Sequence, residues 1–191
     1  MKPHALVLAA GKARRFGGDK LLYPLADNRC LLDRCIGNLQ AARIDFSVVV
    51  SADNHAVQQH CHNGGYECVV HPNAERGMGS SIACGVKSQA KNNAWLILPA
   101  DMPAVAATTI TAVATALQHG KHIVAPRYQQ QQGHPVGFSS LLYEELIQLD
   151  GDHGARAILQ AHPELLQLID VTDPGILLDV DTPEALQALL L

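Results

Sequence analysis

The stretch Leu8-Ala9-Ala10-Gly11-Lys12-Ala13-Arg14-Arg15-Phe16-Gly17-Gly18-Asp19-Lys20 follows directly on the apolar run that begins at His4. A run of this kind breaking into three glycines, small residues and four cations reads as a strand feeding a loop. The loop's backbone N–H groups and positive charges then face one ligand, and a polyphosphate is what such a loop holds. The spacing gives neither G-x-G-x-x-G nor a glycine loop closing on G-K-[ST]. The dinucleotide oxidoreductase and P-loop readings therefore lose their main support. A basic surface turn is the competing reading of the loop taken alone.

Outward from this loop the pattern repeats. Helical periodicity from Leu31 to Arg43 leads to the apolar run Phe46 to Val50. A helix from Asn54 to His62, a strand Glu67 to Val70, a helix Gly79 to Ala90 and the strand Ala94 to Leu98 follow. Beyond these the pattern predicts a helix over Val105 to His119, strands at His122 to Ala125 and His134 to Phe138, and helices Ser139 to Leu149 and Gly154 to Ala161. The tail supplies a run Leu165 to Val171, a short strand Ile176 to Val180, and a last helix that Thr182 caps with Pro183 at its first position. Short apolar runs alternating with helices predict an α/β protein, a Rossmann-like three-layer αβα fold with a mostly parallel sheet over residues 1–191 as one domain. Ligands of such sheets sit beyond the carboxyl ends of the strands, so the chemistry belongs in the loops there.

Composition excludes several classes. With 14 Lys plus Arg against 18 Asp plus Glu the formal charge is −4, which gives no broad basic face for nucleic acid or an anionic membrane. Aromatic content of 4% is too low for a base-stacking platform. The first apolar run is far shorter than the ~20 residues of a membrane span, and no secretory pattern is present. Five cysteines without a C-x-x-C pair argue against a disulfide framework and for a reducing cytoplasm. The group His55, His60, Cys61 and His62 defines no single ligand face, and most of the ten histidines read as surface residues.

Three further groups carry chemistry. Asp101 follows the strand Trp95 to Leu98, where a carboxylate either binds a hard dication such as Mg²⁺ or caps the next helix. Leu177-Leu178-Asp179-Val180-Asp181-Thr182-Pro183-Glu184 supplies two more carboxylates, and Asp181 doubles as a helix cap. Glu75-Arg76-Gly77-Met78-Gly79-Ser80-Ser81 opens a helix with small residues and hydroxyls, suited equally to a ligand and to capping. Gly133-His134-Pro135 and Gly151-Asp152-His153-Gly154-Ala155-Arg156 complete the set, with Arg156 able to pair a phosphate through its planar fork.

Leu8-Ala-Ala-Gly-x-x-x-Arg15-Phe-Gly17-x-x-Lys20 resembles the L-A-A-G-x-S-x-R-M-G-x-x-K signature of nucleotidyltransferases of the molybdenum cofactor type, the MobA-like NTP transferases. The resemblance implies that Ala9, Ala10 and Gly11 lie along the nucleotide and that Arg15 and Lys20 hold its phosphates as catalytic cations. Ala13 stands where that family has Ser, and Phe16 where it has Met. The same resemblance makes Asp101 catalytic and a metal ligand, ranks Asp179 ahead of Asp181 as the second ligand, and places Gly79, Ser80 and Ser81 against base and ribose. The motifs at His134, Asp152 and Arg156 are similar to those bordering the pterin in the MocA-like cytidylyltransferase branch. It thus implies transfer of CMP from CTP to the terminal phosphate of molybdopterin, with release of pyrophosphate and with Mg²⁺ or Mn²⁺ as the metal. A molybdenum enzyme or its maturation chaperone is then a partner. A guanylyltransferase using GTP, a transferase for another small phosphate, and a non-catalytic nucleotide-binding accessory are the alternatives. Ala10, in place of the glycine usual in the guanylyl branch, favours cytosine by one methyl, worth ~1–3 kcal/mol.

Overall fold

A computed structural model describes residues 2–11, 20–25 and 27–181. Arg15, the other residues of 12–19 and the expected terminal helix after Asp181 lie outside the described residues.

Eight strands form one sheet: β1 (His4–Ala9), β2 (Phe46–Ser51), β3 (Cys68–His71), β4 (Ala94–Pro99), β5 (Ile123–Tyr128), β6 (Gln131–Gln132), β7 (Val136–Ser139) and β8 (Leu166–Asp170). The order is β3-β2-β1-β4-β7-β5-β6, with β8 beside β5. β1 pairs in parallel with β2 and β4, β2 with β3, and β5 with β8, while β7 runs antiparallel between β4 and β5. The central runs HALVLA and AWLILP are buried almost throughout, as strands covered on both faces must be.

Helices α1 (Leu31–Ala41), α2 (His55–Asn63) and α4 (Ala107–Gln118) cover one face. On that side Leu32, Ile36, Leu39, Val57, Ile110 and Val113 pack with Ala5, Val7, Val48 and Leu96. Helices α3 (Met78–Ser88), α5 (Tyr143–Leu146) and α6 (Arg156–Ala161) cover the other, where Ile82, Val86, Leu146 and Ile158 meet Leu6, Trp95 and Phe138. At Gly85 a Cβ would stand 2.9 Å from side-chain atoms of Leu6 and Val49, so α3 lies as close to the sheet as a glycine permits. The α/β architecture and the mostly parallel sheet are those expected.

Two expected elements differ. The helix over Ser139 to Leu149 is a 3-10 turn followed by the four residues of α5. Ser140 N–H is tied to the Asn93 carbonyl at 2.8 Å and Tyr143 packs on Trp95, so the segment is held at its start and has one turn to spare. The strand over Ile176 to Val180 is absent. Pro174–Leu177 forms a 3-10 turn, and the chain then bridges loops instead of joining a ladder. The Ile176 carbonyl accepts from His134 N–H at 3.1 Å, and Val180 N–H donates to the Asp101 carbonyl at 2.9 Å.

Candidate active site

Between β1 and β4 the direction of winding reverses, since β1 leads to β2 on one side and pairs with β4 on the other. At that crevice Leu8 lies opposite Pro99, and Ala100 N–H donates to the Leu8 carbonyl at 3.1 Å. The first loop and the loop carrying Asp101 therefore open together at the carboxyl ends of two central strands, where ligands of such sheets bind. A cleft of about 590 Å³ lies there, lined by Ala10, Gly11, Gly77, Ser81, Asp101 and Asp152 among others. A Cβ at Gly11 would meet nothing within 4 Å, so the backbone here is open to a ligand. Ala9 belongs to buried β1, while the Ala10 side of the turn reaches the cleft.

Lys20 organises the charge. Its ammonium donates to Asp101 Oδ2 at 2.8 Å and to Asp181 Oδ1 at 3.0 Å, although the side chain is only 10% exposed. Burial works against the charged form, but the two carboxylates outweigh it and hold the lysine above its ordinary range. Carboxylates separated by 80 residues thus converge on one cation. Asp179, ranked ahead of Asp181 from sequence, is exposed and acts electrostatically on His134. Asp101, Asp179 and Asp181 do not gather into one three-ligand group among the described residues.

The opposite wall is the start of α3. Gly77 has φ 107°, and a Cβ there would press within 2.6 Å of the Gly151 backbone. Gly79 N–H bonds the Gly151 carbonyl at 2.7 Å, and a Cβ on Gly79 would also strike Asp150. These glycines clamp the loop at 150–152 against α3, which places Asp152 on the cleft. Ser80 is buried, donates to the Gly77 carbonyl at 2.9 Å and pairs with His71 Nε2 at 3.0 Å. Ser81 donates to the Gly77 carbonyl at 3.2 Å and faces the cleft. Gly79 and Ser80 make these contacts within the frame, whereas Ser81 and Asp152 line the cleft.

Exposed Met78 lies between this cleft and a second cavity of about 180 Å³. Ile82, Ile97, Val136 and Phe138 give that cavity apolar walls, and His134, Gln132 and Arg156 give it polar ones. His134 Nδ1 is buried with no hydrogen-bond partner among the described residues. Burial pushes this histidine down, against the opposing pull of the Ile97 carbonyl, Asp101 and Asp179. Arg156 is exposed at the cavity and makes no ion pair among the described residues. His4 and His71 are buried as well, exceptions at core-facing positions to the expectation that most histidines lie on the surface.

The profile of the MobA-like NTP transferase domain matches residues 5–165, most of the chain. The chain belongs to that family. Its relatives include the purine catabolism protein PucB of Bacillus subtilis, 31% identical over 93% of this chain and 90% of that protein. The nicotine blue oxidoreductase of Paenarthrobacter nicotinovorans is 29% identical over 97% of this chain and 95% of its own. Among solved structures, Rv0371c from Mycobacterium tuberculosis superposes with a TM-score of 0.83 at 26% identity, covering 100% of this chain and 98% of that one. A nucleotidyl transferase from Methanothermobacter superposes at 0.82 with 18% identity, covering 98% and 95%, and shares the fold.

In this MobA-like domain two features escaped sequence reasoning. The carboxylate of Asp173 accepts from Ala106 N–H at 2.8 Å, Thr109 Oγ1 at 2.7 Å and Gly175 N–H at 2.9 Å. It caps α4, whose own N-cap residue is Ala106 and has no oxygen to offer. No local signal marks a cap supplied from 67 residues away. The Asx-turn-like pattern Asp173-Pro174-Gly175 was the available hint. The second is the ion pair of Arg76 with Asp150, whose guanidinium Nε lies 3.1 Å from Oδ1 and latches the 150–152 loop to the start of α3.

Proposed function

We propose that this nucleotidyltransferase is a cytidylyltransferase that moves CMP from CTP to the terminal phosphate of molybdopterin, releasing pyrophosphate. The observation that carries the reading is the ammonium of Lys20 held between Asp101 and Asp181 at the mouth of the β1–β4 crevice. Two carboxylates already share one cation there, and their donor atoms are all oxygen, which suits a hard divalent ion such as Mg²⁺ or Mn²⁺. Asp101 and Asp181 would hold that ion, with Asp179 the nearby third carboxylate, and the ion would supply positive charge at the triphosphate. One solved relative, Rv0371c, is a complex with manganese.

The chain's own residues then account for the rest. Ala10 and Gly11 line the nucleotide, with Ala9 behind them in β1 and the Ala10 methyl leaving room for a pyrimidine. Released from the carboxylates, Lys20 pairs with phosphate oxygens, joined by Arg15. An acceptor phosphate oxygen attacks the α-phosphorus and the bond to pyrophosphate breaks. The acceptor is already ionised near neutral pH, so no general base is required. The acceptor's flat heterocycle occupies the apolar cavity behind Met78, its polar edge at His134 and Arg156, and its phosphate reaches past Met78 into the cleft beside Asp152. A cytoplasmic setting and delivery to a molybdenum enzyme or its chaperone complete the proposal.

Pyrophosphate release by the purified protein with molybdopterin and Mg²⁺ or Mn²⁺ tests it, CTP against GTP at equal concentration. Release with CTP supports the proposal. Release with GTP alone moves the protein to the guanylyl branch, and none with either leaves a transferase for another small phosphate or a nucleotide-binding accessory. Similarity to a relative named nicotine blue oxidoreductase favours a second reading, redox turnover of nicotine blue, checked in the same preparation by following the colour of that dye.

A further inference from the structure

On the face of the sheet that carries α1 and α2, three metal-ligating side chains meet. Cys30 caps α1 and Asp33 lies at its third residue, while His60 comes from the last turn of α2. Cys30 Sγ stands 3.1 Å from Asp33 Oδ2 and 3.7 Å from His60 Nε2, and His60 Nε2 stands 2.7 Å from Asp33 Oδ1. Among the described residues this is the one group of three or more such side chains whose ligand atoms lie close enough to share an ion. Sequence reading grouped His60 with its chain neighbours and found no ligand face; the fold instead turns it toward residues about 30 positions earlier.

We infer that Cys30, Asp33 and His60 form a zinc site, with Cys30 Sγ, His60 Nε2 and one Asp33 carboxylate oxygen as ligands and solvent in the fourth position. The donor set argues for it first. One sulfur, one imidazole nitrogen and one carboxylate oxygen suit borderline-soft Zn²⁺, whereas Mg²⁺ and Ca²⁺ take oxygen alone. Geometry argues next. Around a tetrahedral ion with Zn–S of ~2.3 Å and Zn–N of ~2.0 Å, sulfur and nitrogen lie about 3.5 Å apart. The separation of Cys30 Sγ from His60 Nε2, 3.7 Å, already matches.

The Asp33–His60 hydrogen bond must open by roughly 0.6 Å to admit the ion. Both side chains are partly exposed, His60 at 32% and Asp33 at 23%, so both can turn and the ion has a path in. Helix capping does not account for the group, because the capping box is complete with Cys30 and Asp33 and leaves His60 over. On binding, the Cys30 S–H proton passes to solvent as the sulfur–zinc bond forms, with no change of oxidation state. A bound ion would fasten the first turn of α1 to the last turn of α2.

Co²⁺ titration of the full chain, as a spectroscopic stand-in for Zn²⁺, is the test. The expected result is one equivalent giving a thiolate-to-cobalt charge-transfer band with the visible bands of a tetrahedral site, both erased by added Zn²⁺. Cys30→Ser keeps an oxygen at the helix cap, so it should fold, as circular dichroism verifies, while losing the charge-transfer band. His60→Gln should lose the tetrahedral bands. Cys84→Ser, a thiol on α3, and Asp101→Asn, in the cleft, should leave the charge-transfer and tetrahedral bands unchanged. An octahedral spectrum alone, a band that persists in Cys30→Ser, or a band lost only in Cys61→Ser or Cys68→Ser overturns the assignment.

Discussion

Val180 donates its backbone N–H to the carbonyl oxygen of Asp101 at 2.9 Å, which ties the segment carrying Asp179 and Asp181 to the loop at the end of β4. Through that bond, and through Lys20 between the two carboxylates, the late part of the chain becomes part of the crevice formed by its first and fourth strands. Removing charge at Asp101 should therefore act on chemistry more than on folding. Asp101→Asn keeps shape and leaves Lys20 paired with Asp181. Pyrophosphate release is expected to fall by about 10²–10³-fold, the usual loss for one electrostatic stabiliser, with an unchanged urea midpoint. A variant with wild-type turnover would remove Asp101 from the reaction.

Lys20→Met discriminates further. The ammonium neutralises two carboxylates in the free protein, so its loss leaves Asp101 and Asp181 facing each other. The variant should bind Mn²⁺ more tightly than wild type in the absence of nucleotide while turning over poorly. Manganese binding followed by electron paramagnetic resonance reads the first effect and pyrophosphate release the second. Weaker manganese binding would show that Lys20 and the ion do not compete for the same carboxylates.

Asp173 holds α4 and the C-terminal segment together through three hydrogen bonds to one carboxylate. Asp173→Ala should cost about 1–2 kcal/mol in chemical denaturation, the range for loss of a helix N-cap with its partners left bare. Because Gly175 and Ile176 lead directly to Asp179 and Asp181, turnover should fall as well, with most of the loss in kcat. Asp173→Asn, which preserves an acceptor oxygen, should recover most of the stability.

The residues that announced themselves in the sequence are those whose chemistry depends on local spacing. Gly11 and Asp101 stand just past strand ends, where the strand period alone places a loop, and Lys20 opens the 3-10 turn that follows the first of those strands. What stayed hidden is long-range. Which of Asp179 and Asp181 meets Lys20 could not be read, because positions two apart in an extended segment share one side of the chain, and only the long-range placement of that segment brings Asp181 to the lysine. The expected strand at 176–180 failed for a related reason: apolar residues were present, but Pro174, Gly175 and the Asp173 cap spend the segment on bridging loops. What the sequence could not show at Gly79 and Ser80 is their contact with the 150–152 loop and Gly77, because close approach to a loop and close approach to a ligand demand the same small residues.

Gly77 makes that point testable. Its φ of 107° disfavours any side chain, and a Cβ would collide with the 150–152 loop. Gly77→Ala should lower the unfolding midpoint, at a cost of ~1–3 kcal/mol for a strained backbone. It should also raise KM for the acceptor more than for the nucleotide, since Asp152 and Arg156 travel with the displaced loop. Equal changes in both constants would mean that the loop serves both substrates alike.

Acid should weaken the fold before any carboxylate titrates. Burial lowers His4, against Glu67 and Asp45, and lowers His71, against Glu75 and with help from Arg76. Each ring is hydrogen-bonded to a serine, His4 to Ser47 at 2.7 Å and His71 to Ser80 at 3.0 Å. Below about pH 6.5 the unfolded chain takes up protons that these native rings refuse, so stability falls as pH drops from there toward the lowered native values. His162 has the opposite sign. Glu145 and Glu164 raise it, so its contribution is fully present below ~6.5 and is lost as pH climbs through its native value. Urea midpoints at pH 7.5 and 5.5 should therefore show a loss on acidification that His4→Gln or His71→Gln reduces and His162→Gln enlarges. Should the His4 and His71 variants keep the wild-type slope, the acid sensitivity would have to come from other groups.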